Sequence, residues 1–179
     1  MTRFTLVPER SSLTALAKSN VHPIHGEGRS LTGYVEVEIV DGRIDLTTSP
    51  GGRIELATED LHADNALIER EIQRRLDARR YPTVRGEVRD TTELAPGKYH
   101  VSGDLSLHGA TQRVDGIAEA TIDGDTLEAE GDLTLDLRDF GLPPPKILML
   151  RVYPDVNVHV HIVAKQDGEG ASGGSRPAQ

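Results

Sequence analysis

The sequence predicts a mainly antiparallel β protein carrying one α-helix. Three observations lead there. Apolar and polar residues alternate at period two through many short segments, as where Leu105 and Leu107 interleave with Asp104, Ser106 and His108. Turn dipeptides punctuate those segments. A single stretch, residues 64–80, switches to a helical period.

The elements follow in chain order. "VEVEIVDGRIDL" sets Asp41-Gly42 between two alternating runs, a strong hairpin signal because both central positions of a type I′ turn need φ > 0. "TTSPGGRIEL" predicts a further turn from Pro50 to Gly52. From Asp64 to Arg80, Ile68, Ile72 and Leu76 fall at i, i+4 and i+8, a narrow apolar stripe on a helix. Asp64 or Asn65 can cap its start, Glu71 can pair with Arg75, and Tyr81-Pro82 is expected to stop it. Pro96-Gly97 and Asp123-Gly124 then predict two more hairpins. The last strand, "VNVHVHIVA", places Val156, Val158, Val160 and Ile162 on one face and Asn157, His159 and His161 on the other. About nine such strands have two usual solutions, a sandwich or a closed barrel. Residues 1–165 are expected to form one domain. The tail 166–179, "QDGEGASGGSRPAQ", is too polar to offset its ordering entropy and is expected to be disordered.

Composition narrows the function. A formal net charge of −9 argues against nucleic acid as a partner, because phosphate affinity rests on clustered cations. Without cysteine there is no thiolate chemistry. Aromatics are 3% and tryptophan is absent, so the core must be aliphatic. "MTRFTLVPERSS" contains no long apolar run, and the expected location is the cytoplasm.

The search for chemistry yields two partial patterns. "HPIH" sets His22 and His25 three apart, and His159 and His161 share a strand face; paired histidines can hold zinc or nickel. Pro23 makes the first pair a turn, however, and no third ligand is fixed by spacing, so the plainer reading is polar loop and outward strand residues. Ser11, Ser12, Ser102 and Ser106 lack a nucleophile elbow, and the glycines read as turn glycines, none opening a phosphate-binding helix. No catalytic residue, metal or cofactor is assigned. The helix is locally basic through Arg70, Arg74, Arg75, Arg79 and Arg80, which suits either a solvated face or transient contact with an anionic membrane. "PPPKILMLRVYP" is apolar on both faces from Ile147 to Leu150; it is either a buried strand or a loop lining a cavity, with Leu148 and Met149 as contacts.

Several segments together resemble the YceI-like family. "FTLVPERSSL" resembles the family's opening strand through Phe4, Pro8 and Ser11, and "LTGYVEVE" its Gly-aromatic strand. "RRLDARRYPTVRGEV" resembles the passage from helix through Tyr-Pro into a strand. Gly103, Leu105, Leu107, Gly109, Thr111 and Val114 match its most recognisable stretch, and Arg138, Phe140 and Gly141 its late Arg-x-Asp-Phe-Gly segment. The chain departs from the family in having Phe4 where tryptophan is common, and fewer aromatics around residues 15–28. The resemblance implies an antiparallel lipocalin-like β-barrel with one covering α-helix, binding a polyisoprenoid-type lipid as carrier or store. The residues expected to meet that lipid are Leu105, Leu107, Leu133, Leu135, Val158 and Val160, which alternation places on one burial face, together with Phe140, Leu148 and Met149. The competing readings are a metal-dependent enzyme using His22 and His25, and a filled barrel that binds protein partners, such as a homodimer.

Overall fold

The computed structural model describes residues 1–144, 146–147 and 149–168. The chain runs through β1 (Thr2–Leu6), β2 (Ser12–Ser19), β3 (Ile24–Arg29), β4 (Thr32–Val40), β5 (Arg43–Asp45), β6 (Gly51–Ala57) and β7 (Leu61–Ala63). Helix α1 (Ala66–Leu76) follows, then β8 (Thr83–Ala95), β9 (Lys98–Leu107), β10 (Ala110–Asp123), β11 (Thr126–Asp136), β12 (Lys146–Ile147) and β13 (Leu150–Gln166). Eight strands close into an antiparallel barrel in the order β1-β4-β6-β8-β9-β10-β11-β13, with β13 returning to β1 through Phe4↔Gln166 and Leu6↔Ala164. Closure leaves these strands no open edge. Before that, β13 pairs with β2 from Val152 to His161, and β3 and β7 extend the sheet from β2. Pro154 sits where the β13–β2 register shifts between Val152 and Val156, so its missing N–H costs no ladder bond.

The turns follow local chemistry. Asp41 and Gly42 have φ 51° and 74°, and His108 and Gly109 φ 54° and 76°, the positive pairs of type I′ hairpins. Pro96-Gly97 joins β8 to β9 with Gly97 at φ 76°. Two expectations shift. Asp123 pairs with Thr126, so the turn residues are Gly124 and Asp125, one place later. Gly51 and Gly52 belong to β6, paired with Glu36 and Val35, and the chain reverses before them. A Cβ on Gly52 would lie 3.1 Å from the Tyr34 carbonyl oxygen, so a small residue suits this crossing of strands.

Asn65 caps α1, its Oδ1 accepting from the N–H groups of Leu67 (2.9 Å) and Ile68 (3.2 Å). The helix ends at Asp77, left-handed at φ 49°, four residues before Tyr81-Pro82. The Asp77 carbonyl then accepts from the N–H groups of Arg80 and Tyr81, which turns the chain back towards β8. Ile68 and Leu76 are buried as the stripe requires. At the other terminus β13 continues to Gln166, and the Asp167 N–H donates to the Arg3 carbonyl at 2.9 Å. Ordered contacts thus reach past residue 165, while positions 169–179 of the expected tail lie outside the described residues.

Candidate functional site

Because side chains alternate along each strand, the closed sheet has one inward set per strand. On β9 it is Tyr99, Val101, Gly103, Leu105 and Leu107; on β11, Leu127, Ala129, Gly131, Leu133 and Leu135; on β13, Val156, Val158, Val160 and Ile162. They surround a cavity of about 520 Å³, a volume typical of sites that bury a small molecule. Its side-chain lining is overwhelmingly aliphatic. Helix α1 contributes Ile68, Ile72 and Leu76 to one end.

The space exists because small residues stand where large ones would fill it. Gly86 pairs with Ile54 and Leu105, and Gly131 with Ala118 and Val160. A Cβ at Gly86 would meet nothing within 4 Å. Gly103 and Gly116 are small for a different reason: a Cβ would lie 2.2 Å from the Glu87 carbonyl oxygen at the first and 2.8 Å from the Asp132 carbonyl oxygen at the second, each on a neighbouring strand. These glycines are mid-strand, which corrects the expectation that the chain's glycines are turn residues. The available signal was parity: in "VRGEV" and "AEGDL" glycine occupies the inward beat of an alternating strand without ending it.

Of the residues expected to meet a ligand, Leu105, Leu107, Leu133, Leu135, Val158 and Val160 all line the cavity. Phe140 does not. It is 2% exposed and packs with Leu76, Leu107, Leu135 and Leu142, plugging the barrel at the helix end. A short 3₁₀ turn at Leu137–Phe140 holds it there: Asp136 Oδ1 accepts from the Arg138 N–H at 2.9 Å, and the Asp136 carboxylate is held below its usual pKa chiefly by hydrogen bonds from the Arg138 side chain. Gly141, at φ 69°, ends the turn. Met149 is 87% exposed and stands outside the cavity, while Val152 takes the buried position at that strand's start with Leu150 packed beside it. Leu148 lies outside the described residues.

The turn at His108-Gly109 is roofed by Tyr81, whose ring makes an edge contact with His108 at 4.7 Å; a Cβ on Gly109 would strike that ring at 2.6 Å. The end of β9 is thereby locked against the segment leaving the helix. On the cavity wall, burial raises the pKa of the Tyr99 hydroxyl, with Glu93 adding to the effect.

The histidines point elsewhere. His22 Nδ1 donates to the Pro23 carbonyl at 3.0 Å, and His25 is exposed on β3. His159 meets Asp132 at 2.8 Å and His161 meets Glu128 at 2.7 Å on the outer wall. Among the described residues no three of His, Asp and Glu converge as metal ligands.

An antiparallel barrel, hollow at its middle, aliphatic within and closed by a helix at one end, is the class that this fold and cavity define. The chain belongs to the YceI-like family, whose domain matches residues 4–164. No curated protein matches the sequence. Solved structures resemble the fold at low identity. BcnA of Burkholderia cenocepacia has a TM-score of 0.72 at 17% identity, covering 87% of this chain and 96% of that one. A polyisoprenoid binding domain from Saccharophagus degradans, implicated in plant cell wall breakdown, has 0.70 at 13%, covering 92% and 98%. The YceI protein of Campylobacter jejuni has 0.64 at 14%, covering 80% and 85%.

Proposed function

We propose that the barrel binds a long apolar chain of the polyisoprenoid class and serves as its carrier or store, without catalysis. The observation that carries this reading is the cavity of about 520 Å³, lined by leucine and valine and kept open by Gly86 and Gly131. A flexible hydrocarbon asks for no directional partner, only for apolar area, and gains roughly 25 cal/mol per Å² removed from water before ordering costs. The Saccharophagus degradans relative, described as a polyisoprenoid binding domain, supports the ligand class. Leu105, Leu133, Val158 and Val160 are the wall positions proposed to touch the chain.

Mass spectrometry of an organic extract of the purified protein tests this directly, together with the melting temperature in the presence of a long isoprenoid. Extracted lipid, or a rise in melting temperature that grows with isoprenoid concentration, is the expected result. A protein that yields no lipid and shows no shift would remove the function while leaving the barrel intact.

A further inference from the structure

We propose that the helix end of the barrel is a docking surface for an anionic lipid bilayer. Large apolar side chains stand in water at that end. Val21, Leu67, Met149 and Tyr153 are 66%, 52%, 87% and 45% exposed. They belong to three segments far apart in sequence that the fold gathers at one place. Asn20 ties two of them together: its N–H donates to the Arg151 carbonyl at 3.1 Å, its side-chain amide donates to the Met149 carbonyl at 3.0 Å, and its Oδ1 accepts from the Arg151 N–H at 2.7 Å. The buried cluster Ile24, Ile68 and Val152 ties in the helix. Each exposed residue sits one to three positions from a member of that cluster, so the four ring a common base.

Charge says what covers them. Lys18, Arg70, Arg74, Lys146 and Arg151 are exposed on these same segments. The acids of α1 are already engaged, Glu69 with His62 and Glu71 with both Arg74 and Arg75. The opposite end of the barrel carries the reverse: Asp41, Asp45, Glu93, Asp123 and Asp125 against Arg43, Lys98 and Lys165, the last paired with Asp125. Exposed acids are fewer on the helix-end segments, namely Asp64, Asp77 and Asp155, so a protein of net charge −9 has set these apolar tips at an end where exposed cations outnumber acids. Apolar side chains that enter the headgroup layer, a tyrosine at the interface and cations facing anionic lipid are the parts of a peripheral membrane site. The same end holds Ile68, Ile72 and Leu76, which line the cavity, so docking would bring the bilayer to the helix that covers it.

Flotation with vesicles tests the surface using the full chain. Vesicles of phosphatidylcholine containing phosphatidylglycerol are expected to carry the protein upward, and vesicles of phosphatidylcholine alone are not. Raising salt from about 0.05 M to 0.5 M should release it. Met149→Glu with Val21→Glu should abolish flotation; both positions are so exposed that folding is not at risk, and circular dichroism checks it. Lys146→Gln with Arg151→Gln should weaken binding about thirtyfold, near fivefold for each cation removed. Val40→Glu with Leu94→Glu, exposed at the acidic end, should change nothing. No association with anionic vesicles overturns the proposal, as does association that survives Met149→Glu with Val21→Glu. A dimer in light scattering that the same pair dissociates, without vesicle binding, assigns the surface to a second copy and also overturns it. Docking is read by flotation and the cavity by extraction, so the failure of one is distinguishable from the failure of the other.

Discussion

Leu105 and Leu107 lie two residues apart on the inward face of β9, and Leu133 and Leu135 do the same on β11, yet each pair straddles two different interiors. Leu107 and Leu135 are 8% and 9% exposed: they form the cavity's floor at the helix end and close on Phe140, Leu142 and Leu76 as the plug there. Leu105 and Leu133 are only partly buried and border open space. Strand, residue type and alternation are the same in both. What differs is the surrounding layer: the plug has an aromatic and a leucine supplied from the chain after β11, whereas the hollow has Gly86 across the ladder from Leu105 and Gly131 two residues before Leu133. A period-two pattern reports which face is apolar. It does not report whether that face meets protein or space.

Point substitutions tell the two interiors apart. The largest effect is expected from Phe140→Ala, which opens a hole in the plug and should cost about 3–5 kcal/mol in urea unfolding. A small cost would mean that the helix end is as loosely filled as the middle.

Next come the two kinds of inward glycine. Gly103→Ala forces a methyl against the Glu87 carbonyl and should cost about 3 kcal/mol, since backbone must move. Gly86→Ala meets nothing and should be neutral or stabilising by up to about 1 kcal/mol. Equal costs in thermal unfolding would show that both glycines serve backbone geometry, and that neither exists to keep space.

Tryptophan at neighbouring positions separates the regions functionally. Leu107→Trp overpacks the plug and should cost about 1–3 kcal/mol. Leu105→Trp should cost less than about 1 kcal/mol while abolishing any rise in melting temperature with isoprenoid, because the ring occupies the hollow. The reverse ranking would place the ligand at the helix end.

The smallest effect concerns the covering helix. Hydrogen bonds from Arg74 first, and then Arg75, hold the Glu71 carboxyl at about 2, below its ordinary 4.5. A carboxylate depressed on folding contributes its stability above the unfolded pKa and loses it as pH falls towards the folded one. The melting temperature should therefore fall slightly more steeply between pH 4.5 and 2 in the wild type than in Glu71→Gln. Parallel curves would show that this exposed pair contributes nothing measurable, the usual fate of surface ion pairs.

Local signals made much of the fold legible. The hairpin at Asp41-Gly42 and the stripe Ile68, Ile72 and Leu76 depend on neighbours within a few residues, and both stand in the structure as the sequence indicates. Closure does not depend on neighbours: Phe4 meets Gln166 across the whole chain, and nothing near either residue announces it. The β2–β3–β7 extension was equally hidden, because "ALAKSNVHPIHGEG" alternates alanine and glycine, whose small apolar faces barely register against His22 and His25. The cavity walls were half visible. Leucine and valine showed their shared face, while the mid-strand glycines that empty the space resembled punctuation. Met149 misled because a run of four apolar residues carries no alternation, leaving its orientation unspecified.

The hollow has one more consequence, and it concerns volume. An apolar cavity with few polar partners stays dry when unliganded, so its space is lost to the system only when the chain opens and water reaches the walls. Hydrostatic pressure favours whichever state is smaller overall. The empty barrel should thus be unusually easy to unfold by compression, with a volume decrease near the large end of the usual range, about 100 mL/mol. Filling the interior, whether with a hydrocarbon chain or with a tryptophan at position 105, should shrink that decrease and raise the pressure at which half the molecules unfold. Compressibility becomes a measure of occupancy that needs no knowledge of which molecule is inside.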